Sequence, residues 1–280
     1  MTIKIVTDST ADLPQDLAKE LGISVIPLNV HFGTELYKDS VDILPDEFYA
    51  RLVTSDRLPT TSQPSVGEFL QLYQDLAKTN DEIVSIHISS KLSGTFNSAT
   101  QAKEEYKGNC RIEILDSQHG SMGLGIIAIA AARASQRNAS IDEVIDETKS
   151  SIPMVQFYGL LDTLEYMEKG GRIGKAQAFV GSLLRIKPLL TIRDGEAHPL
   201  ERARTRTKGI DRLYELAQSH MPLLDLAVVY STIPDDAKEL VRRLEPLLPN
   251  GEVLLSRIGP VVGTHAGPGV LGIALRSGKP

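Results

Sequence analysis

The first 150 residues alternate short apolar runs with amphipathic stretches, and this alternation constrains the fold more than any other feature. Residues 3–6 are apolar, 7–10 are polar, and 13–21 repeat apolar positions at helical spacing. The order then recurs. It predicts a strand over 24–32, a helix over about 46–53, a breaker-rich loop over 59–64 and a helix over 66–77. Residues 82–88 read as a buried strand, a helix starts near Phe96, residues 111–115 read as another strand, and helices follow to about 150. Strands separated by helices pair in parallel, because a parallel connection needs a long crossover. Residues 1–153 are therefore expected to form a Rossmann-like α/β domain with a parallel sheet.

The second half reads differently. It offers a strand over 154–160, a short helix over 164–169, a Gly-rich loop and a helix over 175–184. Asp194-Gly195 is a favoured two-residue hairpin turn, and it joins 188–192 to 197–203. A helix over 208–219, a strand over 226–230, a helix over 236–244 and strands over 252–257 and 270–275 complete the chain. Residues 154–280 are expected to form an α+β domain with a largely antiparallel sheet.

Composition narrows the class. Of 280 residues, 41% are hydrophobic and 24% charged, which fits folded cores and excludes disorder, collagen and coiled coil as the main architecture. The longest apolar run, 123–132, is far below the ~20 residues of a membrane span. The N-terminus enters a strand pattern directly, so a cytoplasmic protein is expected. A single cysteine, Cys110, can form neither an intrachain disulfide nor a thiolate cluster, and the six histidines lack metal-ligand spacing. No metal or cofactor is expected. The net charge of −6 speaks against a nucleic-acid binder. The charge is uneven, with 13 Lys/Arg against 22 Asp/Glu in residues 1–153 and 17 against 14 in residues 154–280. Residues 169–212 hold eleven basic and four acidic side chains. That segment is either a solvated surface or a contact for something anionic.

Three segments are candidates for chemistry. Ser89-Ser90-Lys91-Leu92-Ser93-Gly94-Thr95 joins a buried strand to a helix. Ligands of open α/β sheets sit beyond such strand ends, and the first helical turn offers unpaired N–H groups. Ser and Thr are also ordinary helix caps. Pro59-Thr60-Thr61-Ser62-Gln63-Pro64 clusters hydroxyls between prolines, and reads equally as a loop before a cap at Ser65. Gly259 to Gly269 places two Gly/Pro clusters around His265, a donor or acceptor near neutral pH. Gly120-Ser121-Met122-Gly123-Leu124-Gly125 reads as close helix packing, with a ligand-lining role also open. Other patterns fail. Residues 267–272 spell G-x-G-x-x-G, but no chain remains for the helix and distant acid a dinucleotide fold needs. There is neither a P-loop for ATP nor a G-x-S-x-G elbow.

The sequence resembles the DegV family. The resemblance rests on Thr7-Asp8-Ser9-Thr10-Ala11-Asp12-Leu13, the 59–64 loop, Ser89 to Thr95, Gly170-Gly171-Arg172-Ile173, Lys187-Pro188 and Thr264 to Gly269, in that order along nearly the whole chain. It implies a two-domain protein that holds one long-chain fatty acid, such as palmitate, stearate or oleate, in a tunnel between the domains. It further implies a carrier with no catalytic residues of its own. An ATP-binding kinase subunit would phosphorylate the bound carboxylate, and the acyl phosphate would feed phospholipid synthesis. By motif, Thr61, Ser93 and His265 would contact the carboxylate. Ser62, Gly94, Thr95 and Ser121 would support the site, and Arg172 would face the kinase and the phosphate. The basic segment then becomes a candidate surface for the kinase, or for transient contact with anionic membrane headgroups. Leu28, Phe32, Ile126 and Ile127 are candidate tunnel residues and equally plain core. The alternatives are a hydrolase using Ser93 with His265, and a fatty acid sensor or store with no kinase partner.

Overall fold

The computed structural model describes residues 2–180, 186–249 and 251–278. In chain order the first half holds β1 (Ile3–Asp8), α1 (Gln15–Glu20), β2 (Ser24–Ile26), β3 (Asn29–Phe32), β4 (Glu35–Lys38), α2 (Pro45–Thr54), β5 (Thr60–Ser62) and α3 (Val66–Leu76). It continues with β6 (Glu82–His87), α4 (Thr95–Glu105), β7 (Arg111–Asp116), α5 (Met122–Gln136) and α6 (Ile141–Ser151). The chain then crosses to a second sheet through a 3-10 turn, Ile152–Met154. That half holds β8 (Val155–Leu160), α7 (Glu165–Lys169), β9 (Lys187–Arg193), β10 (Glu196–Ala203), α8 (Arg206–Ser219), β11 (Leu223–Tyr230), α9 (Pro234–Leu244), β12 (Leu254–Arg257), α10 (Pro260–Ala266) and β13 (Leu271–Ser277).

The expected parallel sheet is present, in the order β2-β1-β6-β7, with every pair parallel. Its central strands are covered on both faces. Ile5 of β1 joins the core beside α5, and its neighbour Val6 packs with Phe69 and Tyr73 of α3. Burial on both faces is why these strands read as unbroken apolar runs. The second sheet runs β10-β9-β8-β13-β11-β12, antiparallel except for the β11/β12 pair. The architecture is therefore α/β followed by α+β, as the alternation predicts.

Several local expectations are corrected. The single strand expected over 24–32 is two strands in different sheets. Pro27 has no N–H for a ladder, and the break there turns Asn29 away from β1. The loop expected at 59–64 contains β5, which pairs antiparallel with β3 and completes a three-stranded sheet, β4-β3-β5. Ser65 does cap α3, accepting from Glu68 N–H while the Glu68 side chain returns to Ser65 N–H. Of the helix expected over 175–184, residues 175–179 belong to a 3-10 helix, Gly174–Phe179, that stops before Val180; residues 181–184 lie outside the described residues. The Gly/Pro-rich segment around His265 contains the short helix α10. Residues 267–272 lead into β13 rather than a helix.

Helix α5 joins the halves. Every residue from Met122 to Ala132 is buried, and most are Gly, Ala or Ile. A helix apolar all round must be surrounded, and this one packs on β1 from one side and on β8, β11 and β13 from the other. One continuous core consequently spans both sheets, from Ile5 and Ile86 to Val229 and Ala274. Ile126 and Ile127 belong to this core. Phe32 packs tilted against Phe48, with ring centroids 6.0 Å apart. Small residues permit the close approach. A Cβ on Gly125 would lie 2.8 Å from the Ala11 carbonyl oxygen, which the backbone cannot readily yield. Gly125→Val should therefore lower stability by about 1–3 kcal/mol through overpacking, read from chemical denaturation. A variant as stable as the wild type would contradict the tight seam.

Candidate functional site

A cavity with about 160 Å³ open to the centre of a water molecule lies between the two halves. Its walls are mostly aliphatic, with Leu28, Ile88 and Leu92 from the first half and Leu161, Leu190 and Val262 from the second. The polar side chains on its lining include Thr61, Ser62, Gln63, Ser93, Arg172 and His265, and these come together from four separate segments. Apolar walls with a few convergent polar groups are the usual character of a small-molecule site.

The polar residues close into a ring. Thr61 Oγ1 lies 2.9 Å from His265 Nε2. The His265 ring packs on Gly170, where an added Cβ would collide with Nδ1. The Gly170 carbonyl accepts from Arg172 at 2.9 Å, and Arg172 Nε donates to the Leu92 carbonyl at 3.2 Å. Leu92 leads to Ser93 and Gly94, and the Gln63 amide presses on Gly94, whose added Cβ would sit 2.8 Å from Nε2. Gln63 returns the ring to Thr61. β5, the β6–α4 loop, the α7 end and α10 each supply one arc. Arg172 is the exposed cation at this rim.

The ring is built from neutral donors around one outer charge. Burial, helped by the positive charge of Arg172, lowers the His265 pKa to about 4. The imidazole is therefore uncharged at neutral pH. Nδ1 is buried without a hydrogen-bond partner. Leaving a lone pair unpaired costs less than burying an unpaired N–H, so we place the proton on Nε2, donating to Thr61 Oγ1. The Thr61 hydroxyl then keeps its own proton for a ligand. Ser93 Oγ and Thr95 Oγ1 share a hydrogen bond of 2.9 Å.

Of the residues the sequence singles out, Thr61, Ser62, Ser93, Ser121, Arg172 and His265 line the cavity, as does Leu28. Gly94 and Thr95 stand behind Ser93 rather than on the lining; Thr95 is fully buried at the start of α4. Ser121 holds φ at 49° and donates to Asp12 Oδ2 at 2.6 Å, which fixes an otherwise costly backbone against the cavity. Thr10 and Gln63 also line the cavity. Both sit inside quoted motifs, but nothing in those motifs separates a lining hydroxyl from a structural one. Among the described residues no group of three or more His, Cys, Asp or Glu could hold a metal ion.

The profile described as an uncharacterised protein, DegV family, matches residues 2–277. The chain belongs to the DegV family. It is 38% identical over 278 residues to protein DegV of Bacillus subtilis, covering 98% of each chain. Among solved structures, it superposes with a TM-score of 0.91 on a DegV family protein from Thermus thermophilus described for fatty acid binding. The two are 35% identical, with 99% of this chain and 100% of that chain covered. It superposes with a TM-score of 0.90 on the DegV fatty acid binding protein from Bacillus subtilis, at 36% identity and 99% coverage of both. No helix among the described residues is long and apolar enough to cross a membrane.

The His265 ring should titrate with a midpoint near about 4, followed by NMR of the ring nitrogens. A midpoint at the ordinary ~6.5 would contradict a buried neutral imidazole at the rim.

Proposed function

We propose that this protein is a fatty acid carrier. One long-chain fatty acid lies in the cavity between the halves, with its carboxylate at the ring formed by Thr61, Ser93 and His265. The observation that carries the reading is this pairing of an aliphatic cavity with a ring of neutral donors at one end. The descriptions of the solved DegV relatives support it. The division of labour rests on energies. Burying about 15 methylenes at ~0.8 kcal/mol each supplies a gross ~12 kcal/mol, much of it offset by the cost of association. The tail gives affinity, and the polar end sets direction. A buried carboxylate without donors would be expensive. Thr61 and Ser93 hydroxyls can each donate to it, and His265 holds Thr61 in place.

The donor type decides how reactive the bound carboxylate stays. A guanidinium clamped onto it would bind its oxygens as a fixed ion pair. Hydroxyls neutralise less of the charge and leave an oxygen nucleophilic. The carrier then presents that oxygen to a separate ATP-binding kinase subunit, which transfers the γ-phosphoryl group to give acyl phosphate for phospholipid synthesis. Arg172, exposed at the rim and already oriented by two carbonyls, faces the incoming phosphate.

The basic segment enters this reading in reduced form. Lys175 pairs with Glu196, Lys187 with Asp162, Arg206 with Asp162 and Asp236, and Arg212 with Glu201 and Glu215. Arg202, Arg204 and Lys208 line a surface groove that also holds Arg212 with its partners Glu201 and Glu215, and Asp211. Arg202, Arg204 and Lys208, rather than the whole segment, are the candidate contacts for the kinase or for anionic headgroups.

A hydrolase is the weaker reading. Ser93 Oγ is bonded to Thr95 rather than to His265, and the His265 nitrogen bonded to Thr61 has no carboxylate behind its partner. A Ser-His-Asp set does occur elsewhere. Ser85 Oγ lies 2.7 Å from His87 Nε2, and His87 Nδ1 lies 3.0 Å from Asp8 Oδ2. All three are fully buried and none lines the cavity, so no substrate reaches that serine.

Thr61→Val and Ser93→Ala should each weaken binding of a fluorescent fatty acid about tenfold, the scale of one lost hydrogen bond to a charged group. Undiminished binding and undiminished acyl phosphate formation would remove that residue from the site. Arg172→Ala should keep the fatty acid but lose phosphorylation in the presence of a kinase subunit; normal phosphorylation would take Arg172 out of the transfer step.

A further inference from the structure

Helix α10 carries His265, yet its own sequence cannot hold it. Its seven residues are too few for a stable isolated helix, and its N-cap is Gly259, which has no side chain to satisfy the first-turn N–H groups. The caps come from the other half of the molecule. Asp12, after the first 3-10 turn, accepts the Gly259 N–H on Oδ1 at 2.9 Å. Asp39, after β4, accepts a backbone hydrogen bond from Val261. The two carboxylates stand on either side of Gly259, where an added Cβ would lie 3.2 Å from Oδ1 of each. Both are buried, at 6% and 1% exposure.

Each carboxylate is fixed in turn by hydroxyls. Ser121 Oγ donates to Asp12 Oδ2 at 2.6 Å. Ser9 Oγ donates to Asp39 Oδ2 at 2.7 Å and Ser40 Oγ to Asp39 Oδ1 at 3.1 Å. The segment entering α10 is held as well, since the Tyr49 hydroxyl donates to the Ile258 carbonyl at 3.3 Å. We infer that Asp12 and Asp39 are positioning residues for the cavity: together they clamp the start of α10, and the clamp sets His265 against Thr61 at the far end of the same helix.

The arrangement has a proton-linked consequence. Burial raises the Asp12 pKa to about 8 and that of Asp39 to about 7, with the charges of Asp39 and Asp8 adding to the shift in Asp12. The other titratable or charged groups facing the pair are Asp8 of β1 and Tyr49 of α2, with Arg257 of β12 beside Tyr49. Burial holds Tyr49 well above the ordinary phenol range, so it stays neutral. Both Asp values are raised on folding. Stability from the neutral carboxyls is thus full at low pH and lost as pH climbs toward and through 8. Raising the pH from 7 to 9 completes the ionisation of both carboxyls, and the cost of two buried charges beside Gly259 outweighs their stronger acceptance from the N–H groups, which loosens the clamp.

Asn keeps the shape and an acceptor for each N–H but cannot ionise, so the Asp12→Asn, Asp39→Asn double variant separates geometry from charge. The experiment measures amide hydrogen exchange of residues 259–266 at pH 7 and pH 9, corrected for the intrinsic rate, with retention of bound oleate alongside. The wild type should lose about tenfold in protection of this segment between the two pH values, and the double variant should lose none. Equal pH response in both proteins overturns the inference, as does a double variant unprotected at pH 7. Gly259→Ala, which wedges a methyl between the carboxylates, should lower protection at both pH values; unchanged protection would also overturn it. Oleate retention rests on the carrier reading. If the wild type holds no oleate, that reading falls while the exchange contrast still decides the clamp.

Discussion

The close contact of two sheets across helix α5 is the constraint on which the rest of the structure depends. A helix built largely of Gly, Ala and Ile from Met122 to Ala132 has no polar face to give to water. It must be covered all round, and α6, the parallel sheet of the first half and the mixed sheet of the second share that cover. Once they close on it, one of the hydrophobic cores runs without a break from the first sheet into the second. The loops at the strand ends of the first half then meet α7 and α10 of the second, and a cavity with walls from both halves is left between them.

What that cavity holds is decided at its rim. The four arcs of the ring come from segments far apart in sequence, so no single motif defines the site. Its chemistry is that of neutral donors, with a histidine kept uncharged by burial and Arg172 as the one Lys or Arg among the described residues that line the cavity. An aliphatic body and a hydroxyl-rich end match an amphipathic ligand with a buried tail, and in the carrier reading proposed above its carboxylate is hydrogen-bonded yet left reactive. The same geometry makes a hydrolytic triad at the rim poorly supported, because no carboxylate orients the imidazole.

Much of this was legible in the residues. Alternating apolar runs betray a parallel sheet because its strands are buried on both faces, as Ile5 and Val6 show. The motifs around Thr61, Ser93, Arg172 and His265 were visible as clusters of hydroxyls, glycines and single polar groups. Other features were hidden. Pro27 splits an apolar run into strands of two different sheets, and periodicity cannot report which sheet a strand joins. β5 is three residues long and lies within a proline-bounded loop, below the length at which alternation is readable. α10 begins at Pro260 amid glycines and is capped by Asp12 and Asp39 from across the molecule, so the proline is all its start shows locally, and a Gly/Pro-rich run reads as a loop. The charge of residues 169–212 looked like a surface feature, but Lys169, Lys175, Lys187, Arg206 and Arg212 are matched by acids such as Asp162, Glu196 and Asp236, two of these three acids lying outside that stretch.

The central claim is that the cavity between the halves holds one fatty acid. Native mass spectrometry of the purified protein tests it most directly, with the bound species released and identified under denaturing conditions. The account predicts one non-covalent ligand per chain with the mass of a long-chain fatty acid, displaced by added oleate. A chain that carries no such ligand and takes up no oleate when it is supplied would contradict it.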